Sequence, residues 1–311
     1  MRICSFVPGA TELLAELALG SSLVGRSHEC DYPPEIHHVP ILTASTLPSS
    51  AMTSGEIDAS VRETLAEGRP LYRIDSDRLR AADPDLVITQ GLCDVCGITS
   101  ALVEPIFSDQ PRPPHIASLN PSSLEEMLAD TLRLGELTGT TPRARARVQH
   151  WRTRLDAMSE DNGRITTRPR VVCLEWLDPL YVAGHWVPDM VRQAGGIDVL
   201  GRPGAPSYRI SGHTLMDARP DILVLMPCGF SLARTIDEFG RAAETRPWTT
   251  IAAVQEGRVF VVDGHAHYSR PGPRLLRGLE LLARICADPD GIRPQSEELV
   301  RLNPIRPGAT N

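Results

Sequence analysis

Ala82-Asp83-Pro84-Asp85-Leu86-Val87-Ile88 and Ala218-Arg219-Pro220-Asp221-Ile222-Leu223-Val224-Leu225 are two near-copies of one phrase. In each copy the proline steers the residue before it away from helical dihedrals, so a preceding helix must stop. The leucine and β-branched run that follows has the length of a buried strand. Strands that are apolar on both faces belong to parallel sheets covered by helices, which makes the chain α/β.

Other landmarks recur in the same order. Arg2-Ile3-Cys4 returns as Arg170-Val171-Val172-Cys173, a helix ending at Leu19-Gly20 returns as one ending at Gly195-Gly196, and Leu23-Val24-Gly25-Arg26 returns as Val199-Leu200-Gly201-Arg202. Four landmarks kept in order predict a duplicated lobe. The halves are expected to be two Rossmann-like lobes, 1–120 and 169–311, with connecting helices over 121–168. Within that connection, Leu124 to Leu137 reads as a helix. Val148, Trp151, Leu155 and Met158 recur at spacings of three and four, so 141–161 reads as one long backbone helix, with Thr141-Pro142 at its start. Pro271 to Ala287 reads as a further helix, and the Pro-rich tail from Asp288 is expected to pack loosely.

The chain has 311 residues and a formal net charge of −7, with its acidic residues scattered, which argues against nucleic acid or an anionic membrane surface as partner. All 32 basic residues are Arg, which excludes lysine chemistry such as a Schiff base or a Walker-type phosphate loop. No stretch has the 18 or so uncharged apolar residues of a membrane span, so no membrane insertion is expected. The opening, Met1-Arg2-Ile3-Cys4-Ser5-Phe6-Val7-Pro8, reads as a strand rather than an export signal, so a cytoplasmic place is expected. Seven cysteines, an odd number, then read as free thiols or metal ligands rather than a disulfide framework.

Ser5-Phe6-Val7-Pro8-Gly9-Ala10-Thr11-Glu12, Leu23 to Arg26, Cys30-Asp31-Tyr32-Pro33-Pro34-Glu35 and Ala82 to Ile88 resemble the periplasmic cobalamin-binding proteins of ABC importers. The resemblance extends to Gly195-Gly196 and to Arg209 to Val224. It implies a class III periplasmic-binding-protein-like fold, two α/β lobes joined by a rigid helix, with cobalamin or a related corrinoid clamped in the cleft between them. It also implies an ABC permease as partner, should the chain be exported. In that family the cleft is mainly aromatic and polar, whereas here the matching loops are rich in thiols.

In open α/β sheets ligands bind beyond the carboxyl ends of the strands, and the candidate residues follow those ends. His28-Glu29-Cys30-Asp31-Tyr32 is a donor-dense loop. His28 or Cys30 can reach a corrinoid cobalt axially, and Tyr32 can lie along the ring or simply pack on the surface. Cys93-Asp94-Val95-Cys96 has chelate spacing and admits a soft-metal site, cofactor contact, a redox pair or plain packing. Glu175 and Trp176, then His185 and Trp186, suit a flat, partly apolar ligand, with Glu175 accepting from corrin amides or binding metal. Cys228 follows the second Pro-Asp strand. His265 and His267 would point to one side of an extended chain, unless they are surface residues. Asp263 and Arg270 read as holding that loop, and Cys4, Cys173 and Cys286 as core.

A small-molecule binding protein for transport, delivery or sensing is therefore expected, not an enzyme. The alternative is a metalloprotein or metalloenzyme in which Cys93, Cys96 and Cys228 bind zinc or iron; a siderophore or haem binder is a further one.

Overall fold

The structure, a computed structural model, describes residues 1–92, 97–162, 167–245, 248–293 and 297–304; Cys93 and Cys96 lie outside the described residues. Two compact units form. The first gathers Met1–Met52, Ala59–His150 and Pro271–Pro273. The second gathers Thr53–Asp58, Trp151–Arg270 and the described residues from Arg274 onward.

In chain order the elements up to the long helix are β1 (Ile3–Ser5), α1 (Pro8–Glu16), β2 (Leu23–Arg26), β3 (Thr43–Ser45), α2 (Ser54–Ala66) and β4 (Tyr72–Ile74). They continue with α3 (Ser76–Ala81), β5 (Leu86–Thr89), α4 (Ser100–Val103), β6 (His115–Ser118), α5 (Leu124–Leu137) and α6 (Thr141–Asn162). Among the described residues, the first unit has a parallel sheet in the order β2-β1-β5-β6 and a separate antiparallel pair, β3-β4. All three residues of β1 and all four of β5 are buried, as a strand covered on both faces requires. On one face Cys4, Leu42, Leu79, Val87, Val103 and Phe107 form a core cluster.

The second unit continues with β7 (Arg170–Leu177), β8 (Leu180–Val182), α7 (Val187–Gln193), β9 (Ile197–Asp198), β10 (Tyr208–Arg209), α8 (Gly212–Asp217) and β11 (Ile222–Leu225). Then come α9 (Leu232–Thr245), α10 (Ala252–Gln255), β12 (Val259–Val262), α11 (Gly264–His267), α12 (Leu275–Ala287) and β13 (Leu299–Arg301). Its sheet runs β10-β8-β7-β11-β12-β13, with β9 also paired to β7. The parallel members β9, β7, β11 and β12 repeat the order of the first unit. Val172, Leu174, Leu223, Leu225 and Val261 lie at the heart of its core, each buried aliphatic side chain contributing about 1.5–3 kcal/mol. This is the expected fold class: two Rossmann-like α/β units, with the single 22-residue helix α6 between their sheets in the chain.

The repeated phrase makes the same knot in each unit. The Asp85 carboxylate accepts from Arg2 N–H at 2.6 Å, and Arg2 Nε and its terminal nitrogen donate to the carbonyls of Ala82 and Asp83. The Asp221 carboxylate accepts from Arg170 N–H at 2.8 Å, and the Arg170 guanidinium donates to the carbonyls of Ala218 and Arg219. Asp83 and Arg219 both take left-handed φ, 43° and 44°. The knots tie the start of β1 to that of β5, and the start of β7 to that of β11.

Three expectations are corrected. With Arg2 matching Arg170, the register pairs Cys4 with Val87 and Val172 with Leu223, so the counterpart of Cys4 is Val172, and Cys173 stands where Ser5 does. The tail does not simply pack loosely: Leu299–Arg301 adds an antiparallel edge strand to β12, with Leu299 and Val300 buried. His265 and His267 do not sit on extended chain, because Asp263 accepts from Ala266 N–H at 2.8 Å and caps a helical turn over Gly264–His267. Two residues apart on a helix are about 200° apart round its axis, so the two rings diverge.

Candidate functional site

In each unit the strand order reverses beside the first strand, between β1 and β5 and between β7 and β11. That switch point, at the carboxyl edge of the sheet, is where such sheets leave room for a ligand.

In the first unit β1 runs straight into α1, with Pro8 opening the helix. After β2 the chain bends back: Ser27 N–H donates to the Ser5 carbonyl, and Cys30 N–H to the Ser27 carbonyl. Cys30 is 1% exposed. Its thiol lies 3.1 Å from Thr11 Oγ1 and 3.6 Å from the Ser5 carbonyl, in a buried knot that also holds Ser5 Oγ. His28 is half-buried, with Nδ1 2.7 Å from Thr43 Oγ1 and its ring 5.7 Å from that of Tyr72. Its Nε2 is buried without a hydrogen-bond partner, 3.7 Å from Glu29. Burial lowers the His28 pKa against the opposing pull of Glu29, favouring a neutral imidazole. Tyr32, 42% exposed, lines a groove of about 450 Å³ with Glu12, Glu16, Arg143 and Arg147. Neither His28 nor Cys30 lines that groove.

In the second unit β7 is longer and turns back through β8, which puts Glu175 and Trp176 at the rim, both half-buried. Cys228, also half-buried, follows β11 and donates its N–H to the Glu175 carbonyl at 3.0 Å. His265 follows β12 and donates its N–H to the Phe230 carbonyl at 3.2 Å. Trp176 and Phe230 lie with ring centroids 5.1 Å apart, and the Arg234 guanidinium sits 3.7 Å from the Phe230 centroid. A terminal nitrogen of Arg270 is 2.6 Å from His265 Nε2. Guanidinium can only donate, so Nε2 accepts and its lone pair is engaged.

The second unit thus brings together Glu175, Trp176, Cys228 and His265. It does not bring the others to them. Trp186 is buried, with Nε1 donating to the Tyr268 carbonyl at 2.8 Å. His185 takes φ 52° and exchanges backbone hydrogen bonds with Gly204 and Ala205; burial lowers its pKa. His267 is buried 3.4 Å from Glu298, its pKa also lowered by burial. Residues that sequence reasoning missed are Phe230, Arg234 and the ring contact of Arg270. Gly229, at φ 73°, was the available signal, since a left-handed glycine after a strand marks a turn that presents its neighbours. The edge offers an indole face, two guanidiniums, an imidazole, a thiol and a carboxylate, which fits a flat, partly apolar ligand with polar groups round its rim. Among the described residues no three His, Cys, Asp or Glu side chains converge as a metal site, and no helix is long and apolar enough to cross a membrane.

The family model for periplasmic binding proteins matches residues 3–266. The chain belongs to that family, one of substrate-binding proteins that take small molecules and work with ABC transporter permeases. Solved structures share its fold. A periplasmic haem-binding protein of Pseudomonas aeruginosa is 18% identical at a TM-score of 0.73, with 99% of each chain covered. The periplasmic vitamin B12-binding protein of Vibrio cholerae is 17% identical at 0.68, covering 94% of this chain and 98% of that one. A possible iron-binding periplasmic solute-binding protein of Staphylococcus epidermidis is 21% identical at 0.67, covering 91% and 97%. No curated protein matches the chain.

Proposed function

We propose that the chain is a binding protein, not an enzyme, for cobalamin or a related corrinoid. The observation that carries this reading is the cluster at the carboxyl edge of the second unit, where Trp176, Phe230, Arg234, Cys228, His265 and Arg270 gather beside a switch point. A corrin ring is broad and partly apolar, with amides round its rim. The Trp176 indole gives stacking area, Arg234 and Arg270 donate to amide carbonyls, and Glu175 accepts from amide nitrogens. The resemblance of the opening block and of Cys30 to Glu35 to cobalamin-binding proteins points to the same ligand. Haem is the second reading, favoured by the two guanidiniums, which would suit its carboxylates.

Reduced protein titrated with hydroxocobalamin and, separately, with hemin decides between them by visible spectra. Saturable one-to-one binding of hydroxocobalamin, weakened about tenfold or more by Trp176→Ala, is expected, as for a buried aromatic anchor. Hemin bound in its place promotes the second reading. Stoichiometric zinc or iron in the untreated protein, with neither ligand bound, would overturn both and favour the thiolate metalloprotein.

A further inference from the structure

α2 opens with a complete capping box. Thr53 Oγ1 accepts from Glu56 N–H at 3.3 Å, and Glu56 Oε2 accepts from Thr53 N–H at 2.8 Å. Local sequence therefore supplies the cap. Yet the N–H of Ser54, left over by that box, is taken by a carboxylate distant in sequence: Glu238 of α9 accepts at Oε1 from Ser54 N–H at 2.8 Å and from Ser54 Oγ at 2.5 Å. Ser54 is fully buried and Glu238 is 6% exposed. A carboxylate is placed in such surroundings at a cost unless hydrogen bonds compensate it, and here both fall on one oxygen.

The Ser54 carbonyl in turn accepts from Trp176 Nε1 at 3.1 Å. Gly55 lets the turn pack closely on Asp178, since a Cβ there would meet that carboxylate at 2.8 Å. Glu238 also lies one helical turn beyond Arg234, whose guanidinium covers Phe230, itself against Trp176. A chain of contacts therefore runs from Glu238 through Ser54 to the indole face, all within the second unit.

We propose that Glu238 is a positioning residue for the candidate site: through Ser54 it holds the Trp176 indole in the orientation that receives the ligand. The inference rests on the reading of Trp176 as a ligand platform. Its distinctive consequence is a pattern of rescue. Because one oxygen accepts both bonds, a glutamine carbonyl can replace the carboxylate and an alanine cannot.

The test is the indole N–H resonance of Trp176, assigned with Trp176→Phe, in ¹⁵N-labelled full-length protein without ligand, followed by hydroxocobalamin titration. Glu238→Ala is expected to shift and broaden that resonance and to weaken binding about tenfold, the usual scale for an outer-shell partner, while Glu238→Gln restores both. A merely structural role lowers the melting temperature without this pattern. Ser54→Ala keeps the carbonyl and loses one bond; its smaller shift serves as the readout if Glu238→Ala does not fold. An unmoved resonance in these variants overturns the positioning, and a moved resonance with unchanged affinity overturns its link to binding. Failure of the corrinoid reading shows separately, as no binding by the unsubstituted protein, and the ligand-free resonance then decides the positioning alone.

Discussion

The two units share a scaffold and differ in what they hang on it. In the first, β1 passes at once into α1, and the thiol after β2 is drawn under that helix by Thr11 and Ser5. In the second, β7 runs on to Leu177 and folds back through β8, so its last residues become a rim of aromatic and charged side chains. The same Arg-Asp knot starts both sheets. A duplicated frame thus constrains where a ligand can sit, while strand length and loop chemistry decide which unit presents groups to it.

The comparison can be broken most sharply at the cores. Phe107→Ala in the first unit and Phe260→Ala in the second should each cost about 3–5 kcal/mol, because both rings are fully buried. Hydrogen exchange read on β5 and on β11 checks it: each variant should loosen its own sheet more, and equal loosening of both would mean that the units unfold as one.

Next in size are two glycines, one in each unit, each just after a strand and at the start of a helix. A Cβ on Gly9 would press into the Pro271 carbonyl, and one on Gly264 into the Pro227 carbonyl. Gly9→Ala and Gly264→Ala should each cost about 1–3 kcal/mol in denaturant melts, as overpacking against backbone does. A neutral result for either would show that its turn can yield.

The knots are smaller. Asp85→Ala and Asp221→Ala each remove a charge-assisted bond to a backbone N–H at an exposed position, worth about 1 kcal/mol. Equal losses, additive in the double variant, would confirm that the repeat does the same work twice; a loss in only one unit would confine it to that unit.

Acid should separate the units by degree. His185 and His267 in the second unit, and His28 in the first, have pKa values lowered by burial. A folded pKa below the unfolded one gives stability that is present above the ordinary histidine value of about 6.5 and is lost as pH falls through the folded value. A buried aspartate opposes this in each unit: Asp198 in the second, its pKa raised by burial, and Asp130 in the first. Burial, with Glu126 adding and Arg133 opposing, raises the Asp130 pKa from 3.8 to about 6. Its contribution is full below 3.8 and lost as pH rises through about 6. Taking the protein from pH 7 to 5 should therefore raise amide exchange in β11 more than in β5; the reverse would mean that these histidines do not control acid stability.

Much of this was legible in the chain. The Pro-Asp phrases marked β5 and β11, and the three-and-four spacing of Val148, Trp151 and Leu155 marked α6 to within a residue of its end. The site was legible only in part. Glu175, Trp176 and Cys228 were found because they stand at or just beyond the ends of strand-like runs, but Trp186 was not separable from Trp176, since both lie in one short stretch of sequence and only packing buries one. The histidine pair was misread as extended because Asp263 acts as a helix cap, a role its sequence neighbours do not force. Arg234 and Glu238 were missed because their partners, Phe230 across the turn and Ser54 far back in the chain, are visible only once α9 has packed.

The sequence by itself determined the duplicated α/β frame, because strand and helix periods and proline stops are local and repeat along the chain. The tertiary structure alone decided which thiol is buried, which indole reaches the rim and which carboxylate holds it. Those outcomes depend on burial and hydrogen bonds between residues distant in sequence, and no local pattern encodes them.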